Sequence, residues 1–363
     1  MRVLFACASV LALTAAPAEG ETLETSASVY VRTDSDSTTV VSPRTRVRVP
    51  VASPRNHVDL VYAVDVWTSA SVDIRTAATG RVREQRDEVV VGADRTWSWG
   101  LAGLGYRFSH EVDYVSNAAS AFVQVEARQK TITIDGRVSA GGDVVGRSGD
   151  ASFAERIGHT SGYVGYTHVL GRRTLAQLSA EFRLQRGFLS SPYRWVSLGG
   201  VASCAQSLGL CIPEVHPGQK MRFAQVARIR QALSARWSAG AAYRLYLDSW
   251  GVLGHTGMLD VRTVPTPRLT LGLQGRFHGQ DGASFYQAAY TEDAGRFVTR
   301  DRELSTTWNA RGSATADVRV PVTPQTDLKI GALVGGGVYR YPNFVGLDTV
   351  GVVEATLSFG VSL

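Results

Sequence analysis

Apolar and polar residues alternate along much of this chain with a period of two. Between Thr174 and Phe188, Ala176, Leu178, Ala180, Phe182 and Leu184 are apolar, whereas Gln177, Ser179, Glu181, Arg183 and Gln185 between them are polar. Between Arg268 and His278, Leu269, Leu271, Leu273 and Phe277 oppose Thr270, Gln274, Arg276 and His278. Arg44, Arg46 and Arg48 interleave with Thr45, Val47 and Val49. Side chains alternate faces along an extended strand, so each segment predicts a strand with one apolar and one polar face. Sandwich strands average about 5–6 residues. These run to roughly 10–15, the length of strands that cross a bilayer at a tilt with the apolar side to lipid and the polar side to a lumen.

The connectors alternate in length as well. Short turns are expected at Ser53–Asn56, Ala93–Arg95, Arg128–Lys130, Gly171–Arg173, Ala235–Arg236, Pro265–Pro267 and Pro324–Thr326. Longer polar connectors are expected at 70–87, 146–155, 189–219 and 279–301. Seven turns joining eight hairpins predict sixteen antiparallel strands, with short periplasmic turns, long external loops and both ends in the periplasm. The register over 82–116 is ambiguous. At the end of the chain, Ala355, Leu357, Phe359, Val361 and Leu363 alternate with Glu354, Thr356, Ser358 and Ser362. Such a strand resembles the C-terminal signal by which the bacterial barrel-assembly machinery recognises its clients, with Leu363 where Phe is usual.

The one long apolar run is Val3–Ala18, and no later run approaches the ~18 residues of a membrane-spanning helix. Met1-Arg2 precedes it and Ala16-Pro17-Ala18 closes it. This is the layout of a secretory signal over 1–18, followed by one barrel domain over 19–363. Cys7 lies inside the apolar stretch, too early to be the acylated residue of a lipoprotein.

Composition sharpens the picture in three places. The chain of 363 residues is 44% hydrophobic, yet its mean hydropathy is −0.04; alternation along each strand averages the two faces away. Thirty-seven Gly against three Met fit a helical enzyme poorly. The net charge of +6 is carried by arginine, since Lys130, Lys220 and Lys329 are the only lysines; no nucleic-acid partner is expected for a secreted chain. After processing, Cys204 and Cys211 remain, either as a disulfide pinning the 189–219 loop or as two free thiols. His57, His110, His159, His168, His216, His255 and His278 are scattered singly, so neither a metal site nor a cofactor is expected.

Several local motifs are distinctive. Glu111-Val112-Asp113-Tyr114-Val115-Ser116 reads E-x-D-Y-x-S, and Gly187-Phe188-Leu189-Ser190-Ser191-Pro192-Tyr193-Arg194 opens the longest loop. Tyr243 to Gly251 reads YRLYLDSWG, followed by His255-Thr256. Arg276 to Gln280 reads RFHGQ, followed by Ala283-Ser284-Phe285-Tyr286. Together with Tyr62-Ala63-Val64-Asp65-Val66, and over roughly 25–363, the chain resembles a proteobacterial family of uncharacterised outer-membrane β-barrels defined by a domain of unknown function. The resemblance implies fold and location and supplies no activity.

No nucleophile elbow, P-loop, dinucleotide fingerprint or zinc motif occurs in the right context. Gly335-Gly336-Gly337 lies inside a strand, where close packing or a bend is expected. His159 with Ser161, and His255 with Thr256, are imaginable base and nucleophile pairs without a third orienting residue. The charged faces are more informative. Alternation directs Arg44, Arg46, Arg48, Arg183, Arg222, Arg228, Arg230, Arg244, Arg262, Arg276 and Arg311 to the lumen. Facing carboxylates are Asp59, Asp65, Glu126, Glu181, Asp248, Asp260, Glu303 and Glu354. They either stiffen the interior as ion pairs or line a water-filled pore with cationic excess. Arg44/Arg46/Arg48 and Arg222/Arg228/Arg230 are the expected basic ladders. Tyr193, Trp195, Tyr243, Tyr246, Trp250, Phe285, Tyr286, Tyr339 and Tyr341 are expected to form an interfacial aromatic girdle.

The expectation is a Gram-negative outer-membrane barrel in contact with lipid, serving as a porin-like channel for small anionic solutes and not as an enzyme. The alternatives are a non-conducting structural or surface-interaction barrel and a barrel enzyme acting on lipid. Cleavage after Ala18 predicts that N-terminal sequencing of the mature protein begins at Glu19.

Overall fold

A computed structural model describes residues 23–69, 82–199, 204, 211–291, 294–324 and 326–362. The signal expected over 1–18 lies outside them, as do Gln325, Leu363 and most of the connector expected at 70–87. The strands β1 (Glu24–Asp34), β2 (Thr38–Pro50), β3 (Asn56–Ser69), β4 (Val82–Trp97) and β5 (Gly100–His110) lead into β6 (Tyr114–Ala127), β7 (Ile132–Arg147), β8 (Asp150–Gly171) and β9 (Thr174–Gly187). Two short strands, β10 (Trp195–Ser197) and β11 (Cys211–Pro213), pair within the next connector. The series ends with β12 (Gln219–Ala232), β13 (Trp237–Asp248), β14 (Leu253–Thr266), β15 (Leu269–Gln280), β16 (Thr307–Pro321), β17 (Asp327–Arg340) and β18 (Thr349–Ser362).

All but β10 and β11 form one closed antiparallel barrel of 16 strands, each paired with its neighbours in order, and β1 pairs with both β2 and β18. Strands of 11 to 22 residues exceed the about 9–11 needed to cross a bilayer, so their ends project beyond it. β8 is the longest of them.

The faces follow from period two and register. Residues opposite one another across paired strands share a face, so one face can be followed around the whole barrel. Leu104, Leu259 and Leu273 are 67%, 69% and 67% exposed and lie on the outer face with Leu60, Val138, Val334 and Leu357. In water such a surface would be costly; against lipid it is the stabilising surface. The opposite face carries the charges. The compact apolar core sits instead at one end of the barrel, in the loops described below.

Six of the seven expected turns stand where alternation breaks. The seventh does not: Ala93–Arg95 lies inside β4, and the chain turns at Ser98-Trp99. Asp94 is held in the strand by Arg48, whose Nη2 donates to it at 2.9 Å, so a residue pair typical of turns serves as wall instead. The long connector expected at 146–155 is a two-residue turn, Ser148-Gly149, with β7 and β8 extending on either side. Gly149 has φ +83°, which suits a tight hairpin. Val82–Asp87, expected in a loop, belongs to β4; alternation is invisible there because both faces are polar. At the opposite end from the short turns, the long connectors that include described residues are 188–218 and 281–306.

The lipid-facing assignment predicts that Leu259→Arg destabilises the folded barrel by about 2–4 kcal/mol. Thr315→Arg, on the inward face, should cost far less; urea unfolding in lipid vesicles compares the two.

Candidate functional site: the charged lumen and its capped mouth

The inner wall is a network of arginines and carboxylates whose pairing is dictated by strand register. Arg46 Nη2 lies 2.5 Å from Asp59, and Arg48 joins Asp59 to Asp94. Arg86 pairs with Asp65, and Arg107 with Glu88 at 3.1 Å. Arg230 pairs with Asp260 at 2.7 Å, with Arg262 at 3.9 Å from the same carboxylate. Arg311 pairs with Glu354, which also accepts from the Tyr30 hydroxyl at 2.8 Å. Lys130 pairs with Glu126, and Lys220 with Asp248, each at 3.0 Å.

Register places every arginine expected in the lumen on the inward face, together with Asp59, Asp65, Glu181, Asp260 and Glu354. Glu303 is different. It lies off the wall, in a 3-10 turn at Arg302–Leu304 within the 281–306 connector, where Asp301 caps its backbone amide. The strand-like spacing around it ends at Gln280, so wall alternation does not apply there.

In the expected Arg44/Arg46/Arg48 ladder, Arg46 and Arg48 are neutralised by Asp59 and Asp94, whereas Arg44 has no carboxylate within 4.0 Å among the described residues; in the other triplet Arg230 is bound to Asp260. Further uncompensated cations lie on β9 to β15. Among the described residues, Arg183, Arg222, Arg228, Arg244 and Arg276 have no carboxylate partner within 4.0 Å. Arg183 stands directly opposite Arg222 across β9 and β12, and Arg276 directly opposite Arg311 across β15 and β16. Arg228 lies on the same hydrogen-bonded row as Arg276, with Ala242 and Met258 between them. Like charges directly opposite one another destabilise a sheet. Glu181, two residues from Arg183, is the nearby carboxylate on β9.

The long-loop end is covered by a folded cap. Trp250, Val252, Ala283 and Leu304 form one buried cluster against Leu189, Tyr246, Phe285 and Tyr286. Tyr341, Phe344, Val350 and Val352 form a second, and Val196, Tyr290 and Val298 a third. Tyr246, Val350 and Val352 are inward positions of β13 and β18, so the cap is seated on the inner wall. The expected aromatic girdle is therefore mostly something else. Tyr246, Trp250, Phe285, Tyr286 and Tyr341 are cap core, while Tyr339 faces inward beside it, and Tyr193 donates to Asp113 from the 188–218 loop. Tyr243 does face outward, with Tyr62, Tyr106, Phe277 and Trp308. Connector residues carry no face assignment, and Tyr246 shares the phase of Arg244; density of aromatics near loops could not distinguish these cases.

Glu214 is the polar centre of the cap. Its side chain is fully buried, 3.2 Å from His216 Nε2 and 3.5 Å from Arg194. It accepts from the Thr299 hydroxyl at 2.7 Å, and Arg194 reaches on to Asp301 at 3.1 Å. Burial alone would raise its pKa, but the contact with His216, the Arg194 charge and the Thr299 hydroxyl outweigh burial and hold it at about 2. Arg302 ties the cap to Asp36 in the β1–β2 turn at 2.5 Å. Cys204 and Cys211 are joined by a disulfide beside β11, their Cα atoms 5.8 Å apart. The four separated motifs thus meet at one end of the barrel: Asp113 on Tyr193, Arg194 on Glu214, Asp248 capping the Trp250 amide at 2.9 Å, and Gln280 on the Glu303 carbonyl at 2.8 Å.

The imagined catalytic pairs divide. His255 faces outward with Tyr243, whereas Thr256 faces inward and contacts His278 at 2.8 Å, so that pair is split between faces. His159 and Ser161 do share the inward face; His159 sits 3.3 Å from Asp143, and Ser161 hydrogen-bonds Ser139. No group of three or more metal-ligating side chains occurs among the described residues. Sequence reading missed Asp94, Asp143, Glu214 and His216; for Asp94 and Asp143 the signal was strand phase, and for the other two there was none.

Sixteen closed strands with an apolar exterior and a charged interior define a transmembrane β-barrel of the outer-membrane kind. The chain belongs to the family described as Protein of unknown function (DUF3570), whose model matches residues 68–324. No protein of curated description matches it. Among solved structures it is similar to a bacterial polysaccharide outer membrane secretin, at 8% identity over 94% of this chain and 97% of that one, TM-score 0.56. It is also similar to CdiB from Acinetobacter baumannii, at 11% identity over 93% of this chain and 60% of that one, TM-score 0.51. At these identities the likeness is one of fold.

Because Glu214 has its pKa lowered by folding, its contribution to the cap is complete above about 4.5 and is lost as pH falls toward about 2. Glu214→Gln should remove that part of the acid transition and destabilise the cap by about 3–5 kcal/mol. Trp250 fluorescence and proteolysis of the two loops read the cap separately from the barrel.

Proposed function

We propose that this protein resides in the bacterial outer membrane with its long loops outward and acts as a porin-like channel for small anionic solutes. The observation that carries the reading is Arg183 directly opposite Arg222 on the inward face, with no carboxylate within 4.0 Å of either. Such a pair is unfavourable by itself and favourable when an anion lies between the guanidinium groups. Arg228, Arg244 and Arg276 extend the cationic surface along the same side of the wall, opposite β2–β5, where Arg46, Arg48, Arg86 and Arg107 are paired with carboxylates. A barrel of this strand number is wide enough to leave an aqueous channel, and fixed charge in a low-dielectric wall concentrates counter-ions. β18, whose outward residues Val353, Leu357 and Phe359 alternate with polar ones, is the strand offered to the assembly machinery.

A second reading is favoured by the cap, which covers the mouth with buried apolar clusters: a non-conducting barrel that presents its loops to a partner. Planar-bilayer recording separates the two. Anion-preferring current is expected, and Arg183→Glu with Arg222→Glu should lower the anion-to-cation permeability ratio severalfold. An absence of conductance above background would sink the channel reading; a cation preference in the unaltered chain would sink the role given to the arginines.

A further inference from the structure

The short connectors, at the end of the barrel opposite the cap, carry charge of one sign. They are 51–55, 98–99, 128–131, 172–173, 233–236, 267–268 and 322–326. Arg55, Arg128, Lys130, Arg172, Arg173, Arg236 and Arg268 lie in them, and neither Asp nor Glu does. An arginine-rich composition does not account for this, because the chain has 32 acidic residues against 38 basic ones. All of these cations are exposed. Among these described residues only Lys130 has a carboxylate within 4.0 Å, Glu126 at 3.0 Å, and its side chain is still 75% exposed. The cap end is built differently: Arg194, Lys220 and Arg302 are each bound to carboxylates there.

The β6–β7 turn keeps its charges against a backbone preference. Arg128, Gln129 and Lys130 have φ of 46°, 55° and 66°. In this left-handed region a Cβ crowds the following carbonyl, and Gly or Asn is the usual occupant. Two cations in such a turn are costly for folding, and strain of this kind gathers where a surface holds a ligand.

Exposed aromatic and aliphatic side chains share this level. Val91 is an exposed outward residue of β4, and period two carries its face to Arg95 and Trp97. Trp237 stands opposite Thr263, and Thr263 opposite the outward Leu271. Trp97, Trp237 and, in the β12–β13 turn, Leu233 are all exposed. Trp99 stacks on Trp97 with ring centroids 5.2 Å apart, and Arg95 Cζ lies 5.7 Å from the centroid of the Trp97 ring. Outward tryptophan at the end of a transmembrane strand marks the headgroup level. The turn cations therefore stand at the edge of the bilayer, beside lipid phosphate.

We propose that the short-turn rim binds the headgroups of acidic phospholipids in the leaflet beside it, with phosphates among the turn cations and Trp97, Trp99 and Trp237 against the glycerol region. A zwitterionic headgroup brings its own cation to the same turns and is the poorer ligand. A soluble acidic partner would match the charges and leave the tryptophans and Leu233 uncovered. The proposal concerns the outside of the barrel and needs no conductance.

Association of nitroxide-labelled lipids with the full chain, folded in phosphatidylcholine vesicles, tests it. A basic residue at an acidic lipid surface favours binding about fivefold. Labelled phosphatidylglycerol should accordingly be preferred severalfold to labelled phosphatidylcholine in the motionally restricted shell, and molar salt should remove most of that preference. Arg128→Gln, Lys130→Gln, Arg172→Gln and Arg173→Gln combined should lower it at least about twofold. Arg156→Gln with Arg186→Gln, on the outward face near the cap, should leave it unchanged. Should the combined variant fail to fold, Arg128→Gly with Lys130→Gly takes its place, since Gly suits the left-handed turn. Equal association of the two lipids overturns the proposal, as does a preference that survives loss of the turn charges or falls with Arg156 and Arg186 instead. Retention of the chain by purified peptidoglycan in place of a lipid preference overturns it too. A lipid preference in a barrel that passes no current would sink the channel alone; anion-selective current without the preference would sink the rim alone.

Discussion

Backbone hydrogen bonding in a medium without water governs this structure. Every N–H and C=O that lies in hydrocarbon must be paired by the protein itself, and a sheet achieves that only by having no edge. The pairing of β1 with β18 supplies the closure, running from Glu24 opposite Ser362 to Asp34 opposite Val352. Once the sheet is closed, each strand has one face to lipid and one to the lumen, and the polar residues that period two places on alternate positions have nowhere to go but inward. The charged interior is thus a consequence of closure before it is a device for transport.

Register then decides which charges meet. Pairing of β2, β3 and β4 brings Arg48 beside Asp59 and one row from Asp94, and their opposite charges cancel within hydrogen-bond reach. Pairing of β9 with β12 brings Arg183 beside Arg222, while Asp248, opposite Arg222 on β13, is engaged by Lys220. A slip of one residue would exchange the lumen and lipid faces of a strand, so these contacts are fixed as firmly as the barrel. The wall consequently has one sector where most charges are paired and another where arginines stand opposite one another.

The barrel was legible in the sequence wherever one face is apolar. Thr174–Phe188 and the final strand could be assigned residue by residue, since a polar residue at an outward position would be costly in lipid. Legibility failed where that penalty is absent. Val82–Asp87 is almost wholly polar, and the outer parts of β7 and β8 mix Gly, Ser, Asp and Arg with a few apolar residues on either face, so strand there resembles loop. Asp94-Arg95 resembled a turn because a cross-strand partner 46 residues away is not visible along the chain. In the mouth, Glu303 and the aromatics of the cap were misplaced because a face assignment has no meaning once the chain leaves the wall. Which arginines stay uncompensated was also unreadable, as it depends on the register of neighbouring strands and not on the period within one.

The attachments of the cap have a bearing on the order in which the molecule is assembled. The 281–306 connector leaves β15 and enters β16, yet Arg302 is bound to Asp36 in the first hairpin, 266 residues away in sequence, and Tyr286 donates to the carbonyl of Asn343 in the last. In an unclosed sheet the first hairpin lies at the far edge from β15 and β16; only when β1 meets β18 does it come round to them. The Arg302–Asp36 tie is accordingly a late contact, made by the same event that removes the sheet's edges, whereas the buried clusters of the cap join segments between β9 and β18 and do not wait for it.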